Sequence, residues 1–218
     1  MTTPQPGDVA SWRREYEARG LTEGELGRDP IAAFIGWLAD AEVAGVYEPN
    51  AMVVATAAGN APSARMVLLK AVDERGLVFH TNYRSRKAVE LTANPACALL
   101  FAWHPLERQV RFEGTTERVE PAESDAYFAT RPRGSQLGAW ASPQSEPVPG
   151  RQYLQDRYQH ETDRFANSEQ VPRPPHWGGM LVRPHSVEFW QGRPGRMHDR
   201  IRFERADATT WVIDRLAP

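Results

Sequence analysis

Two lysines stand close together in a chain that otherwise draws its positive charge from arginine. The 218 residues include 26 Lys plus Arg, and only Lys70 and Lys87 are lysine. Both fall in the stretch Arg65–Lys87, RMVLLKAVDERGLVFHTNYRSRK. A lysine ammonium is a compact, flexible point charge and an arginine guanidinium a planar fork, so the two are not interchangeable. The pattern around them puts Arg65, Lys70, Arg86 and Lys87 near strand ends and a helix start. Backbone N–H groups and cationic side chains can converge on a phosphate at such a place. A second dense run, Gln191-Gly192-Arg193-Pro194-Gly195-Arg196-Met197-His198-Asp199-Arg200, lies between two strands. In an extended segment, period-two alternation puts Arg196, His198 and Arg200 on one side. A solvated turn would have a similar composition, but Trp190 before it and Ile201 and Phe203 after it anchor both ends in a core.

The elements that must position these residues follow from pattern. Met66-Val67-Leu68-Leu69 is an apolar run too short for a helix and bounded by charge. Asp73-Glu74-Arg75-Gly76 supplies a turn, and Leu77–Thr81 the strand after it. Ser85 caps a helix that starts at Arg86 and stops at Asn94-Pro95. Ala51–Thr56, Ala96–Trp103 and Glu107–Val119 read as strands, with Cys97 a packed small hydrophobe. Upstream, residues 1–10 read as disordered and Trp12–Glu17 as a solvated helix face. Asp29-Pro30 opens a helix whose apolar positions are Ile31, Phe34, Ile35, Leu38 and Val43. Downstream come a helix from Pro121, a polar Pro-rich loop over 141–150 that is either a surface crossing or a binding loop, and a polar helix over Gln152–Phe165. Strands over Gly178–Arg183 and Ser186–Trp190 and a closing hairpin, Ile201–Glu204 with Trp211–Ile213, complete the chain. The expected class is α+β, mainly β, with barrel-like closure protecting the strand edges. Residues 1–28 are expected to form an N-terminal arm and 29–218 a single domain.

Composition narrows the function. A formal net charge of −2 gives no reason to expect a nucleic-acid or membrane-surface binder. One cysteine builds no disulfide framework and fits a reducing compartment, so a cytoplasmic location is expected. Six histidines without an HExxH, and a lone cysteine, set zinc aside. There is no GxGxxG, P-loop or GxSxG, and strand follows strand where a Rossmann fold would alternate with helix.

Taken together, several motifs resemble one family. They are RxVLLK at Arg65–Lys70, TNxxSRK at Thr81–Lys87, WHxLERQVR at Trp103–Arg111 and YFxxRPxxSQxGAW at Tyr127–Trp140. Gln144-Ser145, EFWQG with RxHDR over Glu188–Arg200, the terminal Arg215–Pro218 and Arg13-Arg14-Glu15-Tyr16 add to them. The chain resembles the pyridoxine (pyridoxamine) 5′-phosphate oxidases, FMN enzymes that make pyridoxal 5′-phosphate. The resemblance implies a split β-barrel homodimer with FMN in a cleft between subunits. It implies FMN contacts from Arg65, Met66, Val67, Leu68, Leu69, Lys70, His80, Thr81, Arg86, Lys87, Gln109, Gln144, Ser145, Trp190 and Arg200, some supplied by the partner. Lys70, Tyr127, Arg131 and Ser135 would clamp the substrate phosphate. Arg196 and His198, with Met197 between them, would face its pyridine ring, and Arg13, Arg14, Glu15 and Tyr16 would form a lid or a secondary substrate contact. His80 departs from the Tyr or Phe often found there.

The chemistry agrees with that division. A dianionic phosphate calls for Lys, Arg, Tyr and Ser donors, and Tyr127, Arg131 and Ser135 share a face if one helix carries them all. The implied reaction is hydride transfer from substrate to FMN, with O2 reoxidising the flavin to give H2O2. Phenazine-type flavin oxidases resemble the chain in their EFW and RxH[DE]R regions, but do not keep the lysine ending RxVLLK or the full clamp. A non-catalytic flavin or pyridoxal-phosphate carrier is the third reading.

Overall fold

Asp29 starts the first long helix by the expected device: its Oδ1 accepts the Ile31 N–H at 2.9 Å, with Pro30 at the first helical position. In this computed structural model, which describes residues 15–218, that helix is α2 (Pro30–Val43), preceded by a single turn, α1 (Glu23–Leu26). The remaining elements, in chain order, are β1 (Ala51–Ala58), β2 (Ala61–Leu68), β3 (Ala71–Asp73), β4 (Gly76–Asn82), α3 (Arg86–Ala93), β5 (Ala96–Trp103) and β6 (Arg108–Arg118). They continue with α4 (Pro121–Thr130), α5 (Arg133–Ala141), α6 (Arg151–Arg164), β7 (Trp177–Gln191), β8 (Asp199–Arg205) and β9 (Trp211–Leu216). Neighbouring strands follow the order β2-β1-β5-β6-β7-β4-β3, and β8 pairs with β7 and β9. Among the described residues no helix is long and apolar enough to cross a membrane.

The chain divides into two compact units. One holds residues 15–49 with Ala102–Arg111 and Val187–Pro218; the other holds Asn50–Phe101 and Phe112–Ser186. In the first, Phe34 stacks on Trp103 at 6.2 Å, Trp37 meets Phe189 edge-on at 5.1 Å, and Phe189 meets Phe203 at 5.7 Å. The buried face of α2 is therefore Ile31, Phe34, Trp37 and Ala41. Val43, expected on that face, is 89% exposed, and Ile35 also faces outward. In the second unit, Met52, Val54, Phe79, Leu99, Phe101, Phe112 and Val182 form the core. Cys97 is half-buried there, and burial pushes its thiol up to about 12, as suits a packing residue.

Three differences from the sequence reading have local causes. The Met66-Leu69 run does not pair across the Asp73-Gly76 turn. Val67 faces Met52 and Leu68 faces Ala51 on β1, while β4 takes the separate strand β3, Val72 facing Leu77. The switch happens at Leu69 and Lys70: Leu69 N–H donates to Asn50 O at 2.9 Å, Lys70 N–H to Val78 O at 2.8 Å. Second, one unbroken strand, β7, replaces the two expected around Pro184. Gly76 and Gly114 give Pro184 its room: a Cβ on Gly76 would strike Val182 O, and one on Gly114 would strike Arg183 O. Third, residues 15–22 carry no helix, so the expected helical reading fails for Glu15–Glu17; its earlier part, and the disorder expected for 1–10, lie outside the described residues.

Candidate active site

In the second unit a cationic cluster forms around α3. Ser85 is its N-cap residue, but its hydroxyl makes no cap bond; it lies 3.4 Å from the Lys87 Nζ and 3.3 Å from the Thr81 hydroxyl. Lys87 also donates to Thr81 Oγ1 at 3.1 Å and Gln144 Oε1 at 3.2 Å. It is buried, and among the described residues no carboxylate pairs with it. Its pKa is lowered, chiefly by burial and then by Arg65. Arg65 and Arg86 are held differently. Both donate to the buried Glu90, at 3.2 and 2.8 Å. Thr56 and Ser63 hydroxyls donate to the same carboxylate at 2.5 and 2.7 Å, and these bonds, Thr56 first, hold it down at about 2. Glu90 therefore stays charged and fixes both guanidinium groups. An Arg-x-x-x-Glu spacing on one helix face was the available signal for it, and the sequence reading missed it.

A cavity of about 290 Å³ opens beside this cluster, lined by Met66, Val67, Leu68, Lys70, His80, Thr81, Lys87, Tyr127, Arg131, Gln144 and Trp177. Lys70 is exposed at the β2–β3 crossing. Arg131 lies over the Trp177 ring at 4.6 Å, within cation–π reach, and its buried Nη1 has no hydrogen-bond partner among the described residues. Burial lowers its pKa. His80 stacks on Tyr127 at 4.0 Å and on Trp177 at 5.1 Å, and among the described residues neither ring nitrogen has a hydrogen-bond partner. Its pKa falls to about 4, first from burial, then from Arg131, Lys70 and Arg173. The ring fits because it faces Gly179 on β7; a Cβ there would sit 3.1 Å from His80 Nε2. Trp177, unremarked in the sequence, is thus the floor under both residues.

No single helix carries Tyr127, Arg131 and Ser135, and the helical face expected to run up to Arg131 stops one residue short of it. α4 ends at Thr130, Arg131 is extended (φ −73°, ψ 145°), and α5 begins after Pro132. Pro132 cannot continue the backbone ladder, and it disfavours helical geometry in the residue before it. Ser135 is exposed in the first turn of α5 and does not line the cavity. Ser145 stands in the 142–150 loop at φ 74°.

In the first unit, Trp190, His198 and Tyr16 form a ring cluster. Trp190 and His198 are 4.6 Å apart, and Tyr16 meets them edge-on at 5.8 and 5.4 Å. Arg193 N–H donates to His198 Nδ1 at 3.1 Å. The acceptor nitrogen is unprotonated, so neutral His198 carries its proton on Nε2. The expected alternation of Arg196, His198 and Arg200 fails: Pro194–Arg196 is a tight turn, with Gly195 and Arg196 left-handed at φ 63° and 61°. A positive φ at arginine is strained, as is common at functional sites. Arg196 and Met197 are exposed. Arg200 sits on β8 and donates to Glu188 at 2.7 and 3.1 Å, with Arg111 on the same carboxylate at 2.7 Å. Gln109 is half-buried on β6, Glu15 is exposed, and Arg13 and Arg14 lie outside the described residues.

Known proteins match this chain over nearly its whole length. The pyridoxamine 5′-phosphate oxidase family model matches residues 38–164, and the pyridoxine 5′-phosphate oxidase C-terminal dimerisation region matches 177–218. The pyridoxine/pyridoxamine 5′-phosphate oxidase of Rubrobacter xylanophilus is 57% identical over 97% of both chains. That of Salinibacter ruber is 52% identical over 96% of this chain and 99% of its own. Among solved structures, PhzG of Burkholderia lata with tetrahydrophenazine-1-carboxylic acid superposes with a TM-score of 0.84 at 32% identity, over 92% of this chain and 98% of that one. An FMN-binding protein of Nostoc punctiforme shares the fold alone, with a TM-score of 0.67 at 18% identity over 87% and 98%. The fold is the α+β, mainly β, split barrel expected from sequence. The relatives, matched at more than half identity and nearly full length, extend the two family regions across the chain, which belongs to the pyridoxamine 5′-phosphate oxidase family.

Proposed function

We propose that this protein is an FMN-dependent oxidase that converts pyridoxine 5′-phosphate and pyridoxamine 5′-phosphate to pyridoxal 5′-phosphate. The observation that carries the reading is the cavity in which Lys70, Tyr127 and Arg131 converge, Arg131 with a buried donor that nothing among the described residues satisfies. A phosphate dianion supplies the missing acceptor. The FMN fits the cluster beside it, because Lys87 is a desolvated ammonium that no carboxylate among the described residues pairs, flanked by Thr81, Ser85 and Gln144. Arg65, held by Glu90, and Arg86 add fixed positive charge there. Gln109, Ser145, Trp190 and Arg200 are proposed as further FMN contacts.

Bound FMN supplies a two-electron acceptor that O2 regenerates, so the alcohol plus O2 gives aldehyde plus H2O2, and the amine plus O2 and water gives aldehyde, ammonia and H2O2. The chain's residues hold and orient the substrate. Lys70, Tyr127 and Arg131 grip the phosphate, and Ser135 joins them from the first turn of α5. His198 offers its Nε2–H to a polar substituent of the pyridine ring, and Arg196 brings a fixed charge against that ring. The matched dimerisation region makes the protein a homodimer. We assign part of each FMN site to the partner subunit, residues 1–28 to an arm that closes with Arg13–Tyr16 over the substrate, and 29–218 to the FMN-binding domain. The single cysteine fits a reducing, cytoplasmic setting.

Peroxide release on adding pyridoxine 5′-phosphate to the FMN-loaded protein tests this reading. Turnover should require the phosphate, with unphosphorylated pyridoxine a poor substrate. Turnover of a reduced phenazine precursor in its place would favour a phenazine-type oxidase, and flavin that stays oxidised with either compound would favour a carrier.

A further inference from the structure

Glu107 occupies a position where its backbone is costly and its side chain is fully employed. It follows a short 3-10 turn, His104–Leu106, and is left-handed at φ 56°, ψ 36°. Glycine takes that conformation without strain, whereas a residue with a Cβ does so uncommonly. The glutamate carboxylate accepts the N–H groups of Glu17 (3.1 Å) and Ala18 (3.1 Å). Its own C=O accepts the Gly192 N–H at 2.8 Å and the Gln191 Nε2 at 3.1 Å. One residue therefore fastens the backbone beside Tyr16 to the end of β7, next to Trp190. The fit is tight: a Cβ on Gly192 would sit 2.9 Å from Tyr16 Cγ and 3.0 Å from Glu107 Cβ. Further along the same segment, Arg193 Nη1 donates to Arg19 O at 2.9 Å and Leu21 N–H to Asp199 Oδ2 at 2.9 Å. The outcome is the Tyr16 ring held edge-on to Trp190 and His198.

We propose that Glu107 is a positioning residue that docks residues 16–18 so that Tyr16 walls the substrate side of His198, and that it thereby sets the affinity for the phosphorylated pyridine. The inference rests on the assignment of His198 to substrate binding. Glu107 touches neither substrate nor FMN in this account and acts only through the docked segment.

Glu107→Gly separates this role from a merely structural one, because it removes backbone strain and the carboxylate together. The melting temperature and FMN content should hold. The Glu17 and Ala18 amides should lose hydrogen-exchange protection by tenfold or more while the Gly192 amide stays protected. KM for pyridoxine 5′-phosphate should rise about tenfold with kcat within twofold, the scale of a lost docking contact and not of lost chemistry. Glu107→Gln, which keeps one acceptor oxygen, should fall between the two. A KM that is unchanged or lowered while those amides are freed, or amides already unprotected in the wild type, overturns the proposal. A Gly variant that loses stability and FMN together also overturns it. Wild-type protein that fails to oxidise pyridoxine 5′-phosphate would instead defeat the functional assignment, and the exchange measurement would still report on the docking.

Discussion

Replacing His80 by phenylalanine should make the protein less sensitive to acid. The ring stack with Tyr127 and Trp177 tolerates a phenyl group, and both imidazole nitrogens are buried without partners, so no hydrogen bond is lost. What changes is proton linkage. In the unfolded chain histidine takes a proton near its ordinary value of about 6.5; in the folded protein burial, and the Arg131, Lys70 and Arg173 charges, keep it neutral down to about 4. Because the folded value is the lower one, the unfolded state binds the extra proton. Stability is therefore full above about pH 6.5 and falls as pH drops towards 4. With those two values the loss between pH 7 and pH 5 comes to about 2 kcal/mol. The ring is only partly buried, and solvent screening reduces the expectation to about 1 kcal/mol. Urea unfolding of FMN-free wild type and His80→Phe, at equal protomer concentration and at both pH values, gives the double difference. Other titrating groups cancel between the two proteins. A difference that is the same at pH 5 and pH 7, or a His80 ring seen by NMR to titrate near 6.5, would refute the enclosure of this histidine among the cations.

Three other outcomes follow from the same geometry. Lys87→Met should weaken FMN binding by about 1.5–3 kcal/mol in a titration of the apoprotein, the worth of a charge-assisted contact. The apoprotein's Tm should meanwhile hold or rise, because a desolvated charge without a carboxylate partner is gone; an unchanged Kd would remove Lys87 from the FMN site. Arg131→Ala should lower kcat/KM for pyridoxine 5′-phosphate by about 1.5–3 kcal/mol and scarcely affect unphosphorylated pyridoxine; equal losses on both would mean the residue does not grip phosphate. Gly114→Ala should cost about 1–3 kcal/mol of stability in urea, since the added methyl meets the Arg183 carbonyl, with no effect on FMN affinity of the folded protein.

Local chemistry made much of the fold legible. Asp29-Pro30 starts α2 where its cap residues say, and Ala96–Trp103 forms β5 at the expected bounds. These features depend on residues a few positions apart. The errors lie where the deciding contact is distant in sequence. The Met66 run pairs with β1 because the chain changes partner at Lys70, and no period-two pattern reveals which neighbour a strand takes. Ile35 fits the helical period of α2, but Trp37 and Ala41 face the core in its place. At the site, residue types were readable because phosphate selects for cations, while positions were not. Trp177 reaches Arg131 and His80 from a strand far along the chain from both, and Gly192 and Gly195 cannot announce that Arg196 itself is left-handed.

The site cations divide by whether a carboxylate reaches them. Glu90 serves Arg65 and Arg86, and Glu188 serves Arg111 and Arg200. Each carboxylate is shared by two arginines, so each cluster keeps one net positive charge, held in a fixed position as a field. Lys87 and Arg131 are different: both are desolvated, and among the described residues neither has a carboxylate within ion-pair distance. An uncompensated buried charge is costly to a folded chain, and a ligand that brings the counter-charge recovers that cost on binding. Two such cations from separate elements, one on α3 beside Gln144 and one after α4 over Trp177, call for anionic groups at both places. A flavin mononucleotide and a phosphorylated pyridine together supply them. An unphosphorylated substrate leaves Arg131 unpaired, and for that reason the preference in kcat/KM for the phosphorylated substrate should shrink when Arg131 is removed, with Lys70 and Tyr127 holding what remains.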